Sequence, residues 1–124
     1  TEWLSAQTGF SYRLPTEQEW LHAADGDGSE LDSNRNCYSN VRGVVRGASL
    51  VSVTQGTPNA WGMINHVGNA QEWVASAVDN AGNGLLAVGG KHADPLAECT
   101  LATRINHAGS GDAVTGFRIV REIR

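Results

Sequence analysis

Residues able to do chemistry are sparse in this chain, and the densest group is Gly68-Asn69-Ala70-Gln71-Glu72. A tight turn of this composition can present amide, backbone and carboxylate oxygens together, the set that a hard cation such as Ca²⁺ takes at about 2.3–2.6 Å. Asn69, Ala70 and Glu72 are therefore the metal candidates. The same residues also read structurally, with Asn69 capping a turn and Glu72 pairing with an arginine. The two cysteines, Cys37 and Cys99, lie 62 positions apart, a separation unlike C-x-x-C and other short metal or redox spacings. One disulfide or two thiols are both open. The expectation taken forward is that the pair can close in an oxidising compartment, which would make the domain extracytoplasmic. His22, His66, His92 and His107 provide no matched pair of zinc ligands, although Lys91-His92-Ala93-Asp94 puts two donors close together. Ser, His and Asp coexist without a nucleophile-elbow sequence, which carries almost no information.

The scaffold that must position these groups is short and rich in turns. The chain has 124 residues with 15 glycines, 40% hydrophobic and 18% charged, which fits one domain (1–124) with much irregular backbone. Four tryptophans can supply large buried areas without long helices. The net charge of −4 and the scattered Lys and Arg argue against nucleic acid or an anionic membrane as partner. No apolar run approaches the length of a membrane span.

Glu2 to Gln7 followed by Thr8-Gly9 reads as the end of a helix. Thr16 and Glu19 form a capping box that predicts a helix from Glu17 to Ala24. Asp25 to Asn40 reads as a solvated acidic loop, a poor match to an EF-hand because Glu30 stands where the loop needs Gly and Asn36 where it needs Glu. Short apolar runs predict strands at Val41–Val45, Leu50–Val53, Leu85–Val88 and Phe117–Val120. The class is thus α+β with a small antiparallel sheet and a large share of ordered coil.

Four segments in order carry a resemblance: Arg13-Leu14-Pro15-Thr16-Glu17-Gln18-Glu19-Trp20, Pro58-Asn59-Ala60-Trp61-Gly62, Gly68-Asn69-Ala70-Gln71-Glu72-Trp73-Val74 and Gly116-Phe117-Arg118-Ile119-Val120. Together with Val88-Gly89-Gly90 and Ala102-Thr103-Arg104 they make the chain similar to the formylglycine-generating enzyme (sulfatase-modifying factor) family. The resemblance implies a C-type-lectin-like variant fold, of which these residues would form the C-terminal part. The remaining N-terminal part, or another chain, is then an expected partner. It also implies a scaffold held by Arg13, Glu19, Trp20, Trp61, Trp73 and Arg118, with the indoles aimed inward. Arg104 and Arg118 are expected in apolar surroundings, where a guanidinium must be paired, with Glu19 and Glu72 as partners.

Positions matching the Asn69 segment hold calcium in the family, whereas a second calcium site is expected to be lost at Val51-Ser52-Val53. Catalytic members bind copper(I) through two cysteines after the Gly-Gly pair. Here Cys99 takes the second place and Asp94 the first, a poor set for a soft ion. Cys99 would be the catalytic residue if the chain were an enzyme. The resemblance therefore implies a non-catalytic module for a protein or small-molecule ligand, part of a larger bacterial protein, with Lys91, His92, Asp94, Arg104 and Asn106 on the ligand surface. The rival expectations are a copper-dependent oxidase acting on sulfatase cysteines and a variable ligand-binding protein served by a diversity-generating retroelement.

Overall fold

The computed structural model describes residues 1–26, 28, 31–75 and 85–123. Helix α1 (Glu2–Thr8) stops at Gly9 and leads into β1 (Tyr12–Arg13) and α2 (Glu17–Asp25). Both halves of the capping box form: the Thr16 side chain accepts from the Glu19 N–H, and the Glu19 carboxylate accepts from the Thr16 N–H. Helix α2 consequently begins where the sequence places it and runs one residue past Ala24. Thr16→Ala is expected to lower stability by about 1 kcal/mol, the usual cost of losing such a cap. Urea unfolding compared with the parent checks it.

Among the described residues seven strands follow: β2 (Ser39–Val41), β3 (Val44–Arg46), β4 (Gln71–Ala75), β5 (Leu85–Val88), β6 (Arg104–Asn106), β7 (Thr115–Phe117) and β8 (Val120–Arg121). A four-stranded sheet has the order β6-β5-β4-β7; its pairings are antiparallel except β4 with β7, which is parallel. Two antiparallel ribbons complete the fold, β1 with β8 and β2 with β3. Of the acidic loop after α2, Asp27, Ser29 and Glu30 lie outside the described residues.

Three expected strands differ from the structure, each for a visible reason. Val41–Val45 is a hairpin, because Arg42 (φ 53) and Gly43 (φ 82) form its two-residue turn. Phe117–Val120 divides between two sheets, releasing Arg118 and Ile119 between β7 and β8. Leu50–Val53 is not a strand: the Val51 N–H donates to Asn69 Oδ1 at 2.9 Å and the Val51 carbonyl accepts from Asn69 Nδ2 at 3.3 Å. A side-chain amide there does what a neighbouring strand would otherwise do.

The core is small. Among the described residues it consists of Trp20, Ala24, Cys37, Val67, Val74, Val88 and Cys99, with Leu21, Met63 and Leu86 among the residues packed against it. Trp20 closes α2 onto the sheet. Trp61 is a correction to the expected inward indole, since it is 62% exposed and lies against His22 at 5.8 Å between ring centroids. The half-buried organiser of its motif is Asn59. Its Nδ2 donates to the Ala23 and Ala24 carbonyls at the end of α2, while its Oδ1 accepts from the Trp61 and Met63 N–H groups. The turn thus needs the amide, and the indole is left at the surface.

Candidate functional site

The segment between Gly68 and Glu72 sits at the junction of three loops. Gly68, at φ +80, brings its backbone so close to the core that a β-carbon would lie 2.5 Å from Cys37 Sγ. No residue but glycine fits. Asn69 follows at φ 66 and is 5% exposed. Its Oδ1 accepts from Asn36 Nδ2 and the Val51 N–H, both at 2.9 Å. Its backbone donates to the Asn36 carbonyl and accepts from the His92 N–H. One asparagine therefore joins three loops.

Strand β4 then turns Gln71 and Glu72 into the interior, each 5% exposed. Gln71 Nε2 donates to Thr115 Oγ1 at 2.8 Å. Glu72 Oε1 accepts from Trp20 Nε1 at 3.3 Å and from Arg118 Nε at 2.7 Å, and Arg118 Nη2 also donates to the Ile64 carbonyl. Burial pushes the Glu72 carboxyl above its ordinary value, with the Arg118 charge and the two hydrogen bonds pulling the other way. Above this pair opens a cleft of about 350 Å³, walled by Val53, Ile64, Asn69 and Phe117.

These positions bear directly on a cation. Both Asn69 oxygens already accept N–H donors, and Arg118 stands 2.7 Å from the Glu72 carboxylate. Asn65, Ala70 and Glu72 line the same cleft, where a Ca²⁺ would take six to eight oxygens, and Arg118 bonds Oε1 of Glu72. Arg118 supplies a positive charge beside Glu72.

The two positions that the resemblance assigns to copper ligands do adjoin. A β-carbon on Gly90 would lie 3.0 Å from Cys99 Sγ and 3.5 Å from Asp94 Oδ2. Cys99, however, is bonded to Cys37, with Cα atoms 6.5 Å apart and both residues fully buried. Asp94 accepts from the Lys91 N–H and pairs with Lys91 Nζ at 3.2 Å.

The expected ligand surface divides. Lys91 and Asp94 hold each other, and His92 donates from Nδ1 to the Gly47 carbonyl at 2.8 Å. Arg104 and Asn106 lie exposed on β6 at the sheet edge. Arg104 is a second correction: its side chain is 59% exposed and pairs with Glu17, not with a buried carboxylate. The partner of Glu19 is Arg13, which donates two bonds to it at 2.6 and 2.8 Å and a third to Glu122. Those bonds raise the guanidinium and lower the Glu19 carboxyl to about 2. Trp73 stacks on Phe117, with ring centroids 6.4 Å apart, and meets the His107 ring edge-on at 5.4 Å.

Sequence reasoning missed Arg35, whose guanidinium donates to the carbonyls of Cys99, Asp32 and Leu96. A lone arginine in a polar loop gives no signal for this. His107 lies 3.0 Å from Asp112, but its Nδ1 accepts from the Gly109 N–H. Both ring nitrogens are thus engaged within this loop. Among the described residues no group of three or more His, Cys, Asp or Glu is placed to hold a metal ion.

The family model described as the sulfatase-modifying factor enzyme 1-like domain matches residues 1–123. Among solved structures, the chain is similar to PvdO from Pseudomonas aeruginosa, with 25% identity and a TM-score of 0.77 over 98% of this chain and 57% of that one. It is similar to CarF at 29% identity and a TM-score of 0.69, covering 91% of this chain and 48% of that one. Treponema denticola variable protein 1 matches at 25% identity and a TM-score of 0.65, over 87% and 46% of the two chains. The chain thus spans about half the length of these solved relatives. No curated protein matches it.

Proposed function

Because the chain belongs to the sulfatase-modifying factor enzyme 1-like family, we propose that it is a non-catalytic binding or scaffold domain within a larger protein. One observation carries this reading: Cys99 is spent in a disulfide, and its neighbour is the Asp94 carboxylate. Copper(I) chemistry needs soft thiolates, and a chain with two cysteines bonded to each other offers none. The recognition surface includes Arg104 and Asn106 on the exposed edge strand β6, a position open to a protein or small ligand. A buried disulfide fits an oxidising compartment. Among the described residues no helix is long and apolar enough to cross a membrane. Polypeptide equivalent to the unmatched part of the relatives, or another chain, would cover apolar side chains such as Trp3, 72% exposed, and Phe10, 49% exposed.

The test mixes the protein with copper(I), oxygen and a Cys-x-Pro-x-Arg peptide and follows loss of the cysteine sulfur by mass spectrometry. No product is expected, in the oxidised or the reduced protein. Turnover that disappears in Cys99→Ser would replace the binding reading with the oxidase.

A further inference from the structure

We propose that Trp61 and the end of α2 form a docking surface for an arginine side chain presented by a partner protein. The surface lies at the other end of α2 from the Arg104–Glu17 pair, and it does not depend on the state of Cys99. Its base is fixed. Asn59 ties the turn before Trp61 to the Ala23 and Ala24 carbonyls and accepts from the Trp61 and Met63 N–H groups. Gly26 backs the indole edge, since a β-carbon there would lie 3.3 Å from Trp61 Cδ1, and the His22 ring stands 5.8 Å away, tilted by 40°. The residue nevertheless stays 62% exposed, an aromatic platform whose position is set by the fold and whose surface is open.

Three features give this platform its sign. Of the aromatic rings, an indole attracts a cation best at its face. It stands at the C-terminal end of a nine-residue helix, where the helix dipole is negative. Asp25 is exposed and follows His22 by three residues, which puts both on one face of α2. Glu17 and Glu19 at the start of the helix are neutralised by Arg104 and Arg13, whereas Asp25 has no ion pair among the described residues.

The distribution of charge along the chain agrees. Glu17 to Asp32 carries six acidic residues and no Lys or Arg, and Gly47 to Gly90, which contains Trp61, carries no Lys or Arg either. The two stretches that build the platform therefore supply no strong cation to it, and charge complementarity calls for one from outside. A planar guanidinium can stack on the indole and still turn N–H groups toward a carboxylate, which a compact ammonium does less well.

The probe is the peptide acetyl-Gly-Arg-Gly-Arg-Gly-amide at low salt, followed through the Trp61 indole N–H and the His22 and Gly26 amides in NMR spectra. These signals should move. The peptide with citrulline for arginine keeps the shape without the charge and should bind at least about threefold more weakly, the factor for one exposed cation–π contact. Trp61→Ala and Asp25→Asn, both at exposed positions and checked for an unchanged melting temperature, should each weaken binding by a similar factor, and Trp61→Phe should recover part of the loss. No movement at millimolar peptide would overturn the proposal, as would equal affinity for the two peptides or affinity indifferent to Trp61→Ala. Protection of the Trp61 indole from acrylamide in a longer form of the chain would overturn it in favour of an intramolecular cover. Formylglycine formation would bear on Cys99 alone, so the two failures are distinct.

Discussion

Replacing both cysteines, Cys37→Ala with Cys99→Ala, is expected to cost about 4 kcal/mol of unfolding free energy, the largest effect of any change considered. The bond closes a loop with a separation of 62 residues, and freeing such a loop returns entropy to the unfolded chain on this scale. A domain of this size holds roughly 5–15 kcal/mol in total. Few other contacts can compensate, because the two sulfurs are themselves central members of the small buried core. Gly68 and Gly90 approach them from either side, so the backbone is shaped around the bridge. Urea unfolding of the oxidised, reduced and doubly substituted proteins measures the effect. The reduced and substituted forms should agree within about 1 kcal/mol of each other, since smaller differences belong to cavity relaxation. An oxidised form no more stable than the other two would remove the bond from the account of the fold.

Arg118→Ala is expected to cost about 3 kcal/mol near neutral pH, the lower end for breaking a buried ion pair from one side. It leaves the Glu72 carboxylate, 5% exposed, with the Trp20 Nε1 bond among the described residues. The pH dependence separates this loss from simple packing. Burial already raises the folded Glu72 carboxyl above its ordinary value of 4.5, and Arg118 opposes that rise. Removing the arginine raises it further. A group whose folded value lies above its unfolded one stabilises fully below the unfolded value and loses that contribution as pH rises through the folded value. The deficit of the variant should therefore be largest near pH 7.5 and shrink toward pH 4.5, where protonated Glu72 needs no counter-charge. Glu19 and Asp112, both lowered to about 2, titrate alike in the two proteins and cancel in the difference. A deficit that is constant across this range would make Arg118 a packing residue.

Local chemistry was legible wherever the partner of a residue lies a few positions away. The capping box at Thr16 and Glu19, the stop at Gly9 and the strand Leu85–Val88 all depend on neighbours in sequence, and all are present. The four ordered segments likewise pointed to the family, because a turn such as Gly68-Asn69 demands particular residue types whatever surrounds it. Leu50–Val53 shows where this reasoning ends. Its composition suits a strand, yet an amide 18 positions away satisfies its backbone first. Trp61 fails for the same reason in reverse, since the motif around it is fixed by the bonds of Asn59 to the end of α2 and the indole needs no burial.

By itself, then, the amino-acid sequence determined the class, the family and the helix and turn positions, all of which follow from short-range preferences. The resemblance also put Cys99 and Asp94 at the places of the two copper-binding cysteines. Only the tertiary structure decided the pairings: Cys37 with Cys99, Arg118 with Glu72, Arg13 with Glu19 and Arg104 with Glu17. With nine Lys and Arg and thirteen Asp and Glu, composition permits many such matches. Which of them form depends on where the loops cross, and in this fold the crossings are set by a buried asparagine, a disulfide and the glycines that let backbones approach.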